Sequence, residues 1–67
     1  MLTKRNSEYI LFLNKKIYDK RAVEQAFNDF NELCKIKEDQ ENFIIIFKEN
    51  DIALEFANYV LGIMRTL

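Results

Sequence analysis

The feature that most constrains the fold is a strongly amphipathic stretch from Asp19 to Lys37. At about 100° per residue, its apolar side chains fall on one side of a helix and its polar side chains on the other. The apolar side consists of Ala22, Val23, Ala26, Phe27, Phe30, Leu33 and Cys34. The pattern predicts a surface helix over residues 19–37, capped by Asp19, that lies on a core supplied by the rest of the chain.

Two short apolar segments, Glu8–Asn14 and Phe43–Phe47, are predicted to form strands. Both are too short for a helix, and their β-branched and aromatic residues favour extended backbone. Neither segment alternates apolar with polar residues, so both faces of each strand need cover. In the first segment Tyr9, Leu11 and Leu13 point to one face.

A second helix is predicted from Ile52 to about Thr66, with Asn50 or Asp51 as its N-cap. Its polar stripe is narrow, which is typical of a helix that is buried on more than one side. We interpret one flank of this helix as an association surface, and the alternative is a small core that is simply rich in apolar residues. That flank consists of Leu54, Ala57, Leu61 and Met64. Gly62, the single glycine, is expected to allow close packing of this helix.

The elements predict one α+β domain over residues 1–67, with two layers and the order βαβα, or ββαβα if Ile17–Tyr18 forms a strand. Residues 1–7 are expected to be a frayed lead-in or a short pairing segment. If the two strands are parallel neighbours, their helical crossover should be right-handed. A two-stranded sheet that is apolar on both faces is not stable in water. We therefore expect dimerisation to complete or cover the sheet, and a homodimer is predicted.

The composition offers little for catalysis. The chain has no histidine and one cysteine, so a zinc site and an intrachain disulfide are not expected. With one glycine there is no phosphate-binding loop. Cys34 is interpreted as a core residue, and the carboxylates are interpreted as solvated. The sequence therefore predicts no cofactor, no metal site and no enzymatic activity.

The charge pattern bears on partners. Residues 1–21 hold six basic and two acidic residues, and residues 22–67 hold four basic and nine acidic residues. This asymmetry favours two solvated faces of opposite charge. The more specific alternative is that the basic N-terminal part of the chain binds an acidic partner or peptide. A pI near 5.3 argues against nucleic acid as a partner. No apolar run approaches the roughly 18 residues of a membrane span, so a cytoplasmic protein without membrane contact is expected.

The chain resembles the D protein of the His-Xaa-Ser system (HxsD family) over roughly residues 9–64. The resembling residues include Asn14-Lys15-Lys16-Ile17-Tyr18 and Ala26-Phe27-Asn28-Asp29-Phe30. They also include Leu54-Glu55-Phe56-Ala57-Asn58-Tyr59-Val60-Leu61, together with the strand before it. Members of that family accompany radical-SAM maturases, which modify a peptide of His-Xaa-Ser repeats.

The resemblance implies a non-catalytic accessory protein that presents a precursor peptide to its maturase. An open edge of the Glu8–Asn14 strand could bind such a peptide by strand addition. The residues predicted for this site are Tyr9, Leu11, Leu13, Lys15 and Lys16. The alternative is a structural homodimerisation module without a peptide ligand.

Overall fold

A computed structural model describes residues 2–67 as a four-stranded antiparallel sheet with both helices on one face. The elements are β1 (Leu2–Arg5), β2 (Glu8–Asn14), α1 (Lys20–Phe30), β3 (Cys34–Glu38), β4 (Asn42–Phe47) and α2 (Asn50–Met64). The strand order across the sheet is β1-β2-β4-β3. The predicted small α+β class, with one layer of sheet and one of helices, is confirmed, whereas the predicted element order βαβα or ββαβα is wrong, because the observed order is ββαββα.

The two predicted strands are antiparallel neighbours. β2 pairs with β4 from Tyr9 opposite Phe47 to Asn14 opposite Asn42. β3 also pairs antiparallel with β4, so β2 and β3 run in the same direction on either side of it. The helix α1 therefore joins two parallel strands that are separated by a third, a split β-α-β arrangement. The conditional expectation of a crossover between parallel neighbours does not apply.

The first helix is shorter than predicted. Asp19 is its N-cap as expected, and the Asp19 Oδ1 accepts a hydrogen bond of 2.8 Å from the Arg21 backbone N–H. The helix ends at Phe30, and the prediction that it continues to Lys37 is wrong. The sequence Cys34-Lys-Ile-Lys-Glu38 alternates polar with apolar residues, and this period of two suits a strand with one buried face.

The N-terminal segment pairs with β2. Leu2–Arg5 forms an edge strand in register with Glu8–Leu11, so a frayed lead-in is wrong for these residues and a pairing segment is confirmed. The connecting turn contains Asn6 with φ 57°, a left-handed conformation that asparagine tolerates better than most residues. Met1, part of the predicted lead-in, lies outside the described residues. Ile17–Tyr18 does not form a strand, because both backbone N–H groups donate to the Asn14 carbonyl in a turn.

The core lies between the helices and one face of the sheet. The sheet contributes Leu11, Leu13, Cys34, Phe43, Ile45 and Phe47, and the helices contribute Ala22, Val23, Ala26, Ala53, Phe56 and Val60. Three of the helix residues are alanines of zero exposure, which lets both helices lie close to the sheet. Phe56 lies at the centre, with its ring centroid 5.4 Å from those of Phe30 and Phe47. No polar or charged residue among residues 2–67 is buried.

The start of α2 also differs from the prediction. The helix begins at Asn50, and its N-cap is Glu49, which forms no side-chain cap hydrogen bond. Asn50 and Asp51 therefore lie inside the first turn, where the Asp51 carboxylate still faces the positive end of the helix.

Gly62 does not mediate helix packing. It is exposed, and a Cβ atom built on it meets nothing within 4 Å. Replacing Gly62 with alanine should therefore raise the free energy of unfolding by about 0.5–1 kcal/mol, because alanine loses less backbone entropy in a helix. Urea denaturation followed by circular dichroism measures this change. A Gly62→Ala variant that is less stable than the parent would contradict the finding that the space beside the Gly62 Cα is open.

Candidate functional site

The sheet has two outer strands, β1 and β3. Within residues 2–67, β3 pairs with β4 alone and β1 pairs with β2 alone. An outer strand turns the N–H and C=O groups of alternate residues away from the sheet, where another extended chain can pair with them. Both strands are therefore candidate edges for strand addition.

A groove lies next to β3, between that strand and α1, and its volume is about 440 Å³. Its lining consists of Lys20, Glu24, Phe27 and Asn28 from α1, Ile36, Lys37 and Glu38 from β3, and Phe43 from β4. Phe27 and Ile36 are half-buried and Phe43 is buried. The groove thus has an apolar floor and polar rims, and it lies beside the outer edge of β3, which has no strand partner among residues 2–67.

Lys15 contacts two residues that line this groove. Its ammonium group forms an ion pair with the Glu38 carboxylate and lies 5.5 Å from the centroid of the Phe43 ring. The hydrogen bond and the charge of Lys15 lower the pKa of Glu38 below its usual value. The Glu38 carboxylate is therefore ionised at neutral pH, and the positive charge of Lys15 balances its negative charge. By contrast, Lys35 and Lys37 are exposed and form no ion pair within the described part of the chain.

The structure separates the residues predicted for the peptide site. Leu11 and Leu13 are 5% and 1% exposed and belong to the core. Tyr9 is half-buried, with the Lys4 ammonium 5.6 Å from its ring centroid. Because β1 covers Glu8–Leu11, the prediction of an open β2 edge is wrong over those residues.

The two predicted lysines lie in the turn that follows β2. Lys15 borders the groove through Glu38 and Phe43. Lys16 is exposed, and both lysines line a separate cleft, with a volume of about 350 Å³, beside Gln40 and Glu41. Lys15 thus contacts two residues of the groove lining without being part of that lining. Sequence reasoning missed Phe27 and Ile36 as site residues, and the alternation around Ile36 was the signal that could have identified β3.

The predicted association surface on α2 lies on the outer flank of that helix. Leu54 and Leu61 are 49% and 38% exposed, and Ala57 and Met64 are half-buried. The opposite flank contacts α1, where Tyr59 donates a hydrogen bond to the Asp29 carboxylate. The first helix, α1, therefore does not cover the outer flank. That a second chain covers this flank stays a prediction.

A second apolar surface lies on the sheet face opposite the helices. It consists of four half-buried residues of the two central strands, Ile10, Phe12, Ile44 and Ile46. Lys35 and Lys37 of β3 share this face, because they pair with Ile46 and Ile44. This open face is apolar at its centre and basic along the β3 side.

Cys34 is buried as expected, although it lies in β3 rather than in a helix. Its thiol donates a hydrogen bond of 3.4 Å to the Phe30 carbonyl. Burial raises the pKa of the Cys34 thiol to about 11. The thiol is therefore protonated at neutral pH, and a protonated thiol is a poor nucleophile.

Cys34 should consequently react slowly with a disulfide reagent while the chain is folded. At pH 8 a thiol with this pKa is roughly one-thousandth ionised, whereas an ordinary cysteine is about one-quarter ionised. We expect the native rate to be at least about 100-fold below that of the same chain in guanidinium chloride. Ellman-type absorbance kinetics measure both rates. Equal rates would show that Cys34 lies outside the core and that its thiol is available as a nucleophile.

Within residues 2–67, no group of three or more cysteine, aspartate or glutamate side chains is arranged to hold a metal ion. None of the helices formed by these residues has the length and hydropathy of a membrane span. Comparison with protein-family models, with curated proteins and with solved structures gives no match for this chain.

Proposed function

We propose that this chain is a non-catalytic accessory module that binds a peptide for a peptide-modification system. The observation that carries this proposal is the open edge of β3 beside a groove with an apolar floor. The resemblance to the D protein of the His-Xaa-Ser system supports the same role, with a radical-SAM maturase as the partner that receives the peptide. Such a role places the chain in the cytoplasm.

In this proposal the peptide adds to β3 as a fifth strand. Backbone hydrogen bonds with the outward N–H and C=O groups of β3 supply affinity that does not depend on sequence. Every second peptide side chain then enters the groove, where Phe27, Ile36 and Phe43 form an apolar surface. The remaining side chains lie on the opposite face of the sheet.

Chemical-shift mapping by ¹⁵N–¹H NMR, with a synthetic peptide of His-Xaa-Ser repeats, tests this role. We expect shifts in Cys34–Glu38 and in the α1 residues that line the groove, with Leu2–Arg5 unaffected. The matched control is the same peptide with alternate backbone amides methylated, which cannot form the ladder of hydrogen bonds. Shifts confined to β1 or α2, or equal shifts with the methylated peptide, would contradict the proposal.

A second candidate function is a structural homodimerisation module. The exposure of Leu54 and Leu61 on the outer flank of α2 favours it, because a small domain with uncovered apolar surface gains stability by association. Sedimentation equilibrium at micromolar concentration would show a dimer that Leu61→Glu converts to a monomer. A compact, stable monomer of the parent chain would remove this candidate.

A further inference from the structure

The two sides of β3 differ in chemistry, and this difference specifies the strand that β3 can accept. We infer that the β3 edge selects an extended peptide in which apolar side chains alternate with acidic ones. This inference rests on the peptide-binding function proposed above, and it names a substrate class that differs from the His-Xaa-Ser repeat, because that repeat has a period of three residues and an alternating strand has a period of two. It follows from the register of β3, the groove lining and the charges on the open sheet face.

The register assigns each β3 side chain to a face. Cys34, Ile36 and Glu38 lie opposite the core residues of β4 and therefore face the helices. Lys35 and Lys37 lie opposite Ile46 and Ile44 and therefore belong to the open face by register, although Lys37, at the sheet edge, also lines the groove. Because an added strand continues the pleat of the sheet, its side chains alternate between the same two faces.

On the helix side, the added strand meets the groove. Phe27 and Ile36 are half-buried there, and an apolar side chain placed between them would remove more of their surface from water. Glu38 also lines this side, but its ion pair with Lys15 compensates its charge. The groove therefore favours apolar side chains at alternate positions of the peptide.

On the open side, the added strand meets Lys35 and Lys37. Both are exposed, and neither forms an ion pair within residues 2–67. Between neighbouring strands, each pair of opposite charges strengthens binding by about 1.5- to 5-fold, and each pair of like charges weakens binding by a similar factor. Two such pairs should separate an acidic peptide from a basic one by about tenfold or more.

The same lysines disfavour a second copy of this chain at the β3 edge. A symmetric pairing of two β3 strands would bring Lys35 and Lys37 of one copy close to the same residues of the other. Like charges on facing strands are destabilising, and lysine on an outer strand is a common device against such pairing. Charge complementarity therefore points to an acidic, apolar strand as the occupant.

Fluorescence anisotropy with three labelled octapeptides tests the inference. The peptides alternate leucine with glutamate, leucine with serine, or leucine with lysine. At low salt we expect the glutamate peptide to bind at least about tenfold more tightly than the lysine peptide, with the serine peptide between them. The difference should shrink in 0.5 M salt, because both lysines are solvent-exposed.

The double variant Lys35→Glu/Lys37→Glu should reverse the order of the glutamate and lysine peptides, and Lys35→Ser/Lys37→Ser should abolish the preference. Lys48→Glu, an exposed position after β4, is the matched control and should keep the parent order.

Equal binding of the three peptides, with NMR shifts at Cys34–Glu38, would overturn the inference and leave the proposed function standing. Absence of binding by all three, together with no shift from the His-Xaa-Ser peptide, would overturn both. Self-association of the parent through β3 would also overturn the inference.

Discussion

Phe56→Ala is expected to leave much of the chain unfolded at 25 °C. Phe56 is fully buried, and its ring packs edge-on against Phe30 and Phe47 at 5.4 Å. Truncating a buried phenylalanine costs about 3–5 kcal/mol, because apolar contacts are lost and a cavity remains. A domain of this length has a total stability of only about 3–10 kcal/mol. The loss is therefore comparable to the whole free energy of unfolding.

Circular dichroism during urea denaturation measures this loss. Leu54→Ala, on the same helix at a position that is 49% exposed, is the matched control, and its effect should stay within about 1 kcal/mol. If Phe56→Ala cost no more than Leu54→Ala, the core could not be centred on Phe56. A dimer held together at Leu54 would show itself differently, as a dependence of the Leu54→Ala effect on protein concentration.

Filling the groove is expected to weaken peptide binding strongly without unfolding the chain. Asn28 is an exposed α1 residue that lines the groove, so a tryptophan at this position can occupy the space next to Phe27. The substituted ring would exclude the peptide side chains that enter on the helix side. We expect Asn28→Trp to weaken binding of the leucine–glutamate peptide at least about tenfold, because 1.4 kcal/mol of lost contact corresponds to that factor.

Gln25→Trp is the matched control for this experiment. Gln25 is also an exposed α1 residue, but it does not line the groove. Its tryptophan should leave the affinity unchanged, and both variants should keep the urea midpoint of the parent. Peptide affinity that survives Asn28→Trp would show that the bound strand does not use the groove. Equal loss in both variants would point to an effect of tryptophan that does not depend on position.

Much of the fold was predictable because local patterns agree with tertiary packing. Asp19 is a good N-cap and begins α1, and the run Phe43–Phe47 has the residue types of a buried strand. The third strand was missed because Leu33 and Cys34 continue the helical spacing of the apolar residues before them. Cys34 is buried in either conformation, so its burial was predictable while its secondary structure was not.

The site was harder to predict than the fold, because strand pairing depends on partners that a strand's own residues do not specify. The peptide site was predicted at an open edge of β2, whereas β1 pairs with the first half of that strand. The groove needs Phe27 and Ile36 from two separate elements, and it exists only once the chain turns at Phe30 and returns as β3. Lys15 was predictable as a basic turn residue, although its contact with Glu38 required the tertiary structure.

Amide hydrogen exchange, read residue by residue by NMR, tests most directly whether β3 is the edge that receives a peptide. In the free chain the outward N–H groups of both outer strands, Leu2–Arg5 and Cys34–Glu38, should exchange quickly. On saturation with the leucine–glutamate peptide, only those of Cys34–Glu38 should slow, by at least about tenfold, while Leu2–Arg5 serves as the internal reference. Protection that appears in Leu2–Arg5 instead, or in neither strand under saturating peptide, would contradict the account.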